Sequence, residues 1–251
     1  MNDKDYVGDV GRFNNILWDM LNDLRSETGN TSAKLANKSA NLTENQKLYG
    51  YSWCLPYLSA ENCCWCLSDA IAEVPTNCCR GKSGGTILYP SCGVRFELYP
   101  FDKAHDNITW VLPPPTSPRP SAPPGTHVYY NCTRNSTSAT YNAYRSNIKT
   151  VLDLLSSNSS SARYYNATVV SDNNVDTVYG LFLCTSYLDP KICQSCVIEA
   201  VKLISSLCTT AKEAIVWYEV CYVRYSDNNF FSTVEKTPEI SFMNDKDYVG
   251  Q

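Results

Sequence analysis

The sequence is poor in histidine and has no long apolar run. Its two histidines, His105 and His127, lie in or beside a proline-rich stretch, so the rest of the 251 residues lacks the base that Ser/His/Asp and Cys/His mechanisms need. No run approaches the ~18 apolar residues of a membrane span, and neither the Gly-x-x-x-x-Gly-Lys-Ser/Thr pattern of nucleotide-binding loops nor a kinase signature occurs. The net charge of −4 comes without a basic stripe, which argues against nucleic acid as a partner. These absences predict a chain that is not an enzyme.

Cysteine is abundant, and ten of the thirteen cysteines form two copies of one pattern. In each copy three cysteines follow the spacing C-x8-C-x2-C, a fourth lies 12 positions further on, and a fifth lies in an alternating apolar run. The copies are Cys54, Cys63, Cys66, Cys78 and Cys92, and then Cys184, Cys193, Cys196, Cys208 and Cys221. This spacing predicts one covalent framework built twice.

Eight N-x-S/T sequons accompany the cysteines. The predicted glycosylation sites are Asn30, Asn37, Asn41, Asn107, Asn131, Asn135, Asn158 and Asn166. Sequons beside a repeated cysteine framework predict the secretory pathway, and hence a secreted protein or the extracellular side of the plasma membrane. Residues 1–13 contain no apolar h-region, which predicts that the signal peptide of such a protein lies outside this sequence.

The two ends of the chain repeat each other. Met243 to Gly250 has the sequence MNDKDYVG, identical to Met1 to Gly8. The simplest explanation is that Met1 is an internal methionine of a longer tandem array of domains. A circular permutation would produce the same pattern.

Each copy predicts the same elements in the same order. Apolar residues at i, i+4 and i+7 indicate an amphipathic helix, with Leu17, Leu21 and Leu24 in the first copy and Ile148, Leu152 and Leu155 in the second. A strand follows at 48–54 and 178–184, a second helix at 61–74 and 190–207, and a β-hairpin closes each copy. The predicted fold class is α+β, two domains each with about two helices packed on a small antiparallel sheet.

The predicted domains are residues 1–102 and 128–232, joined by a Pro-rich linker at 103–127. Seven prolines within residues 113–125 favour an extended, semi-rigid spacer, with a ligand for a Pro-recognition module as the alternative. Residues 233–251 are predicted to be a tail without a partner in this chain, leading into a next domain.

The C-x-x-C pairs allow zinc, a redox site or disulfides. A structural zinc site needs four ligands, and the eight-residue gap before each pair is not a zinc spacing. Disulfides are therefore the prediction, with no metal and no cofactor. Six cysteines allow 15 connectivities, and spacing alone does not choose among them.

The repeated motif resembles the plant cysteine-rich, salt-stress-response/antifungal domain, the ginkbilobin-like family. The resemblance rests on C-x8-C-x2-C, on YG five residues before the first cysteine, and on a last cysteine in an Ile/Tyr-rich hairpin. Paired domains of this family form the ectodomains of cysteine-rich receptor-like kinases, and they also form cysteine-rich repeat secretory proteins. GRFNN and YPSC…RFELYPF in the first copy are similar to the second domain of such a pair, and YNCTRNSTSATYNAY in the second copy to the first domain.

The resemblance implies a disulfide connectivity. The implied bridges are Cys132–Cys208, Cys184–Cys193 and Cys196–Cys221 in the second copy, and Cys54–Cys63 and Cys66–Cys92 in the first. The first copy lacks a counterpart of Cys132, so Cys64, Cys78 and Cys79 share one further bridge and leave one thiol.

The resemblance also implies where a sugar would bind. A mannose site in this family uses an Asn, an Arg and a Glu, whose positions hold Thr133, Ile215 and Ser226 in the second copy. In the first copy Thr86 replaces the Arg, and only Glu97 remains as a candidate ligand-binding residue. Glu213 and Glu219 are an acidic pair of the kind that glycosidases use, but such carboxylates are far more often solvated surface.

Three functions remain as hypotheses. The favoured one is an extracellular ligand-sensing or protein-interaction ectodomain of a receptor-like kinase or secreted relative, acting in stress or defence signalling. Its partner would be an unknown extracellular ligand or co-receptor, and any kinase domain would lie outside this chain. The alternatives are a mannose-binding, antifungal lectin-like protein and a structural component of the cell wall or plasmodesmata.

Overall fold

The structure, a computed structural model, describes residues 10–79, 81–101, 127–135, 141–170, 176–184 and 189–243. The chain divides into two units, which we call unit 1 (Met1–Thr109 with Ser232–Gln251) and unit 2 (Trp110–Phe231). Across the described ranges, no helix combines the length and apolarity needed to cross a membrane.

Four α-helices and ten strands follow one another in the described residues. In chain order they are α1 (Val10–Asn30), β1 (Leu35–Asn41), β2 (Lys47–Cys54), α2 (Ala60–Glu73), β3 (Gly85–Leu88), β4 (Cys92–Glu97), β5 (His127–Asn135), α3 (Tyr141–Asn158), β6 (Tyr164–Val169), β7 (Val178–Cys184), α4 (Pro190–Leu207), β8 (Ala211–Tyr218), β9 (Cys221–Ser226) and β10 (Ile240–Met243). A π-helical turn, Val74–Cys78, extends α2. The predicted α+β class is confirmed.

Both units contain a five-stranded antiparallel sheet with the same topology. The strand order is β1-β2-β4-β3-β10 in unit 1 and, taken in the matching direction, β6-β7-β9-β8-β5 in unit 2. The edge strand β5 precedes the helices of unit 2 in sequence, whereas its counterpart β10 lies at the far end of the chain. Unit 1 is therefore closed by a segment that follows unit 2 in sequence.

The helices pack on one face of each sheet, and a glycine of the YG motif lies at the contact. A Cβ on Gly180 would lie 2.2 Å from Cγ1 of Val151 in α3, and one on Gly50 would lie 2.6 Å from Cε of Met20 in α1. Neither glycine has a positive φ, so the requirement is for space. We call the helix-covered face of each sheet its inner face and the opposite one its outer face.

Two sequence-based expectations need correction. The prediction of a tail without a partner in this chain is wrong for residues 233–243, because β10 pairs with β3 and the segment belongs to unit 1. The sequence pattern predicts no element between the first helix of each copy and the strand that leads into the cysteine motif, yet these segments form β1 and β6, which pair with β2 and β7. The predicted Pro-rich linker lies outside the described residues except for His127, and the domain boundaries drawn from the sequence stay predictions.

Candidate functional site

In each unit the second helix presents the C-x-x-C pair to the sheet. Residues three apart in a helix lie on one face, so Cys63 and Cys66 are both buried against the sheet. Cys63 is bonded to Cys54 at the end of β2, and Cys66 to Cys92 at the start of β4. Cys54 and Cys92 lie opposite each other, so two bridges tie one helix to two neighbouring strands.

Unit 2 repeats this arrangement and adds a third bridge. Its bridges are Cys184–Cys193, Cys196–Cys221 and Cys132–Cys208. The third one spans 76 positions and joins edge strand β5 to the residue that caps α4. The connectivity in the structure is the one that the family resemblance implies.

The three cysteines left open in unit 1 are also located. Cys78 and Cys79 are bonded to each other, and Cys64 is a partly buried thiol with its Sγ 3.6 Å from the carbonyl oxygen of Arg25. In the part of the chain that the structure describes, no group of three or more His, Cys, Asp or Glu side chains could hold a metal ion.

The sugar-site positions of unit 2 come together on the outer face of the sheet. Thr133 lies opposite Glu213 in the β5–β8 ladder, and Glu213 lies opposite Ser226 in the β8–β9 ladder. Ile215 lies opposite Arg224 in the same ladder. Ile215 and Ser226 are buried, and neither provides a charge.

A buried arginine organises this patch. The Arg224 side chain is 5% exposed, and its Nη2 donates a hydrogen bond to Oε1 of Glu213 at 2.6 Å. Its guanidinium lies 4.2 Å from the centre of the Phe230 ring, a cation–π distance. The hydroxyl of Thr133 donates to the other oxygen of Glu213 at 3.2 Å. Glu213 is therefore a paired carboxylate rather than the solvated surface group expected from the sequence.

The arginine and the glutamate of the implied sugar site are both present in unit 2, but the arginine is on β9 instead of β8 and the glutamate on β8 instead of β9. The resemblance places an arginine at 215 and a glutamate at 226. Here the arginine is residue 224, the partner of Ile215, and the glutamate is residue 213, the partner of Ser226. Position-by-position comparison of sequences missed both residues. The register of β8 and β9 places Arg224 opposite Ile215 and Glu213 opposite Ser226. An alignment of the two strands of the hairpin could have supplied that register.

Unit 1 has the arginine at the equivalent place and a carboxylate on the same strand. Arg95 lies opposite Thr86, and its Nη2 donates to Oε1 of Glu97 at 3.1 Å and to the hydroxyl of Tyr99 at 3.2 Å. The guanidinium lies 4.5 Å from the centre of the Phe101 ring. Glu97 is only 4% exposed, so this candidate ligand-binding residue is held by a protein partner.

A second polar contact in unit 1 involves the C-terminal segment. Burial, followed by the negative charge of Glu239, raises the pKa of the Tyr89 phenol. Burial, followed by the charge of Glu73, likewise raises the pKa of Glu239, although the hydrogen bond from Tyr89 opposes that shift. Burial and the charge of Glu73 therefore make the charged form of Glu239 less favourable than it would be in water.

The predicted glycosylation sites differ in their exposure. Asn30, Asn41 and Asn166 are exposed, whereas Asn37, Asn131 and Asn158 are half-buried. The Nδ2 atom of Asn37, which would bear the glycan, is buried. Asn135 lies in β5, and Asn107 lies outside the described residues.

These features define a class of protein, a pair of disulfide-stapled α+β domains in which helices cover one face of a five-stranded sheet. The sequence model of the salt stress response/antifungal family matches residues 2–99 and 131–228. The chain belongs to this family and contains its domain twice.

Receptor-like kinases and secreted proteins of Arabidopsis thaliana are among the relatives. Cysteine-rich receptor-like protein kinase 34 is 42% identical over 82 residues, which is 33% of this chain and 12% of that protein. Cysteine-rich repeat secretory protein 59 is 43% identical over 105 residues, which is 42% of this chain and 35% of that protein. The chain thus spans a minor part of the curated relatives that it matches.

Solved structures share the fold. The crystal structure of the tandem DUF26 ectodomain from the Arabidopsis thaliana cysteine-rich receptor-like protein PDLP5 matches with a TM-score of 0.66 and 19% identity. The match covers 86% of this chain and 91% of that one. The match therefore shows that most of this chain has the fold of the domains in such tandem ectodomains.

Proposed function

We propose that the chain is an extracellular ligand-sensing or protein-interaction ectodomain of a receptor-like kinase or of a secreted relative, acting in stress or defence signalling. The observation that supports this proposal most is the pair of family domains in one chain, an arrangement that it shares with a tandem receptor-like ectodomain. The bridges and sequons suit the oxidising environment outside the cell. We further propose that the chain itself has no catalytic activity.

The proposed recognition surface is the edge of the outer face of unit 1 around Tyr99. On the outer face of unit 2, Trp217 and Tyr222 are 2% and 3% exposed, so those rings are not part of the proposed surface. In unit 1 Tyr99 is half exposed and its hydroxyl is oriented by Arg95. Aromatic rings with one polar end, oriented by arginine, are the side chains that protein interfaces favour.

Sugar binding is the alternative, and a specific observation makes it worth testing. Both units retain an arginine and a glutamate on the outer face near the implied sugar site, although each carboxylate is bound by its arginine. A sugar would have to compete with those ion pairs. For this reason we rank protein recognition above mannose binding, and a purely structural role third.

One experiment separates these functions. The oxidised, glycosylated chain would be probed on a glycan array and on a panel of purified receptor-like ectodomains. We expect saturable binding to at least one ectodomain, weakened at least tenfold by Tyr99→Ala and unchanged by the control Lys149→Ala at an exposed position of α3. Specific mannose binding would instead favour the lectin-like function, and binding to neither panel would favour the structural role.

A further inference from the structure

The edge strand next to β3 in unit 1 is β10, and the edge strand next to β8 in unit 2 is β5. The register of each sheet shows which residues of these two strands correspond. In unit 2 Cys132 lies opposite Ala214, which in turn lies opposite Tyr225. In unit 1 Met243 lies opposite Gly85, which in turn lies opposite Phe96. Tyr225 and Phe96 each lie four positions after the last cysteine of their copy. Met243 therefore occupies the position of Cys132.

The partner of the missing cysteine is located beside that position. Cys78 corresponds to Cys208, since each lies 12 positions after the C-x-x-C pair. The Sγ atoms of Cys78 and Cys79 lie 3.6 and 3.7 Å from the carbonyl oxygen of Phe242, the residue before Met243. With methionine at 243, Cys78 is bonded to its neighbour Cys79 instead.

The sequence offers a second candidate for the same position. Phe13 in α1 and Tyr144 in α3 are buried at matching places, and Cys132 lies 12 positions before Tyr144. Met1 lies 12 positions before Phe13. Met1 therefore corresponds to Cys132 by its spacing in the sequence, whereas Met243 corresponds to Cys132 by its register in the sheet. Each of these two methionines is the first residue of a copy of MNDKDYVG.

The C-terminal segment is bound to unit 1 by more than its strand. Ile240 is buried, and Lys236 forms an ion pair with Asp69 while lying 4.2 Å from the centre of the Trp65 ring. The backbone N–H of Glu235 donates to the hydroxyl of Ser91 at 2.8 Å, and that of Ser91 donates to the carbonyl of Glu235 at 3.2 Å. These contacts extend over α2, the β3–β4 turn and the sheet edge.

We propose that the β3 edge of unit 1 is a strand-binding site for the segment Ser232–Met243 of the same chain, which replaces the cysteine-bearing leading strand of this domain type. This proposal accounts for the terminal repeat. Met243 is the first residue of the C-terminal copy of MNDKDYVG, and it lies where Met1 would lie if the leading strand came directly before α1. Unit 1 thus combines a segment near the start of the chain with a segment near its end. It lacks a counterpart of the Cys132–Cys208 bridge because β10 has methionine at the position of Cys132.

Restoring the bridge tests the proposal in the full chain. In a Cys79→Ser background, Cys64 and Cys78 are the thiols without a bridge partner in the described structure. Adding Met243→Cys should create a bridge between Cys78 and position 243 within one chain, so that titratable thiols fall from two to one. Peptide mapping by mass spectrometry would identify the bridge, and non-reducing electrophoresis would show whether it lies within one chain.

The repeat provides a matched control. Met1→Cys in the same background places a cysteine before the same NDKDYVG sequence, and we expect no bridge to Cys78. A bridge to position 1 instead of 243, a bridge between chains, or a free thiol at 243 would each overturn the proposal. If the variants fail to fold, hydrogen exchange of the unaltered chain decides: residues 240–243 should exchange as slowly as residues 85–88, and rapid exchange there would reject the strand-binding site.

Discussion

Arg224 donates a hydrogen bond to Glu213 across the β8–β9 ladder of unit 2, and both side chains lie on the face of the sheet opposite the helices. The arginine is almost fully buried and the glutamate is about one quarter exposed. Removing one partner of such a pair leaves the other charge desolvated and unpaired, which is costly.

The ion pair predicts the first set of variants. Arg224→Ala should destabilise unit 2 by about 3 kcal/mol, since it removes the partner of Glu213 and the contact with Phe230. A double-mutant cycle with Glu213→Ala, measured by urea unfolding, should give a coupling of about 1–2 kcal/mol. The exposed pair Lys149–Asp153 on α3 is the control, with about 0.5 kcal/mol or less. Equal coupling in both pairs would contradict the prediction.

The three disulfide bridges of unit 2 should contribute different amounts to its free energy of unfolding. In the chain-entropy model the Cys132–Cys208 loop contributes about 4.5 kcal/mol, the Cys196–Cys221 loop about 3.5 and the Cys184–Cys193 loop about 2.6. Replacing both cysteines of a bridge by alanine removes two sulfurs in each case, and all six residues except the partly buried Cys132 are buried, so loop length remains the main variable. Urea unfolding should rank the three variants in this order, and an inverted order would show that strain or packing decides instead.

The two YG glycines should not tolerate alanine equally. At Gly180 the new methyl group meets Val151, whose branched side chain is stiff, so Gly180→Ala should cost about 2–3 kcal/mol. At Gly50 it meets the flexible ends of Met20 and Leu24, and the cost should be about 1 kcal/mol. Hydrogen exchange resolved to each unit measures both, and equal losses would argue against this contact as the reason for the motif.

Binding of the C-terminal segment should depend on pH through Glu239. Its folded-state pKa is raised above the ordinary 4.5, chiefly by burial, so the folded state holds the proton more tightly than the unfolded state. The stabilisation is complete below the ordinary value and is lost as the pH rises through the raised one. The charge of Glu73 raises this pKa further, Asp69 acts on the neighbouring Tyr89, and Lys236 forms an ion pair with Asp69.

Hydrogen exchange of residues 232–243, corrected for the intrinsic rate, would measure this pH dependence. Opening should become easier as the pH rises through the raised pKa, and Glu239→Gln should flatten that part of the profile. A profile that is unchanged by Glu239→Gln would assign the pH dependence to another group.

Much of each domain could be predicted locally. The helices α1 to α4 follow from apolar spacing, the strands β2 and β7 from the run before the first cysteine, and the hairpins from alternation. The strand β1 could not, because Leu35–Asn41 has little β propensity and becomes a strand by pairing with β2 along seven residue pairs.

The charged patches were harder to predict than the elements. Glu97 was found because it matches a family position, but its burial and its partner Arg95 follow from side-chain packing. Arg224 was missed and Glu213 was considered only as one of an acidic pair with Glu219, since neither Arg224 nor Glu213 stands at a family position and only the register of β8 and β9 brings them together. Cross-strand pairs are determined by register, which a position-by-position comparison ignores.

The sequence by itself determined the covalent plan: two copies of a cysteine spacing, the helices that present C-x-x-C on one face, and the family to which the chain belongs. The tertiary structure alone decided where the last strand lies. Pairing of β10 with β3 joins residues more than 150 positions apart, and no local pattern contains that information. It arises because the unpaired edge of one sheet and a bare strand at the far end of the chain satisfy each other's backbone hydrogen bonds.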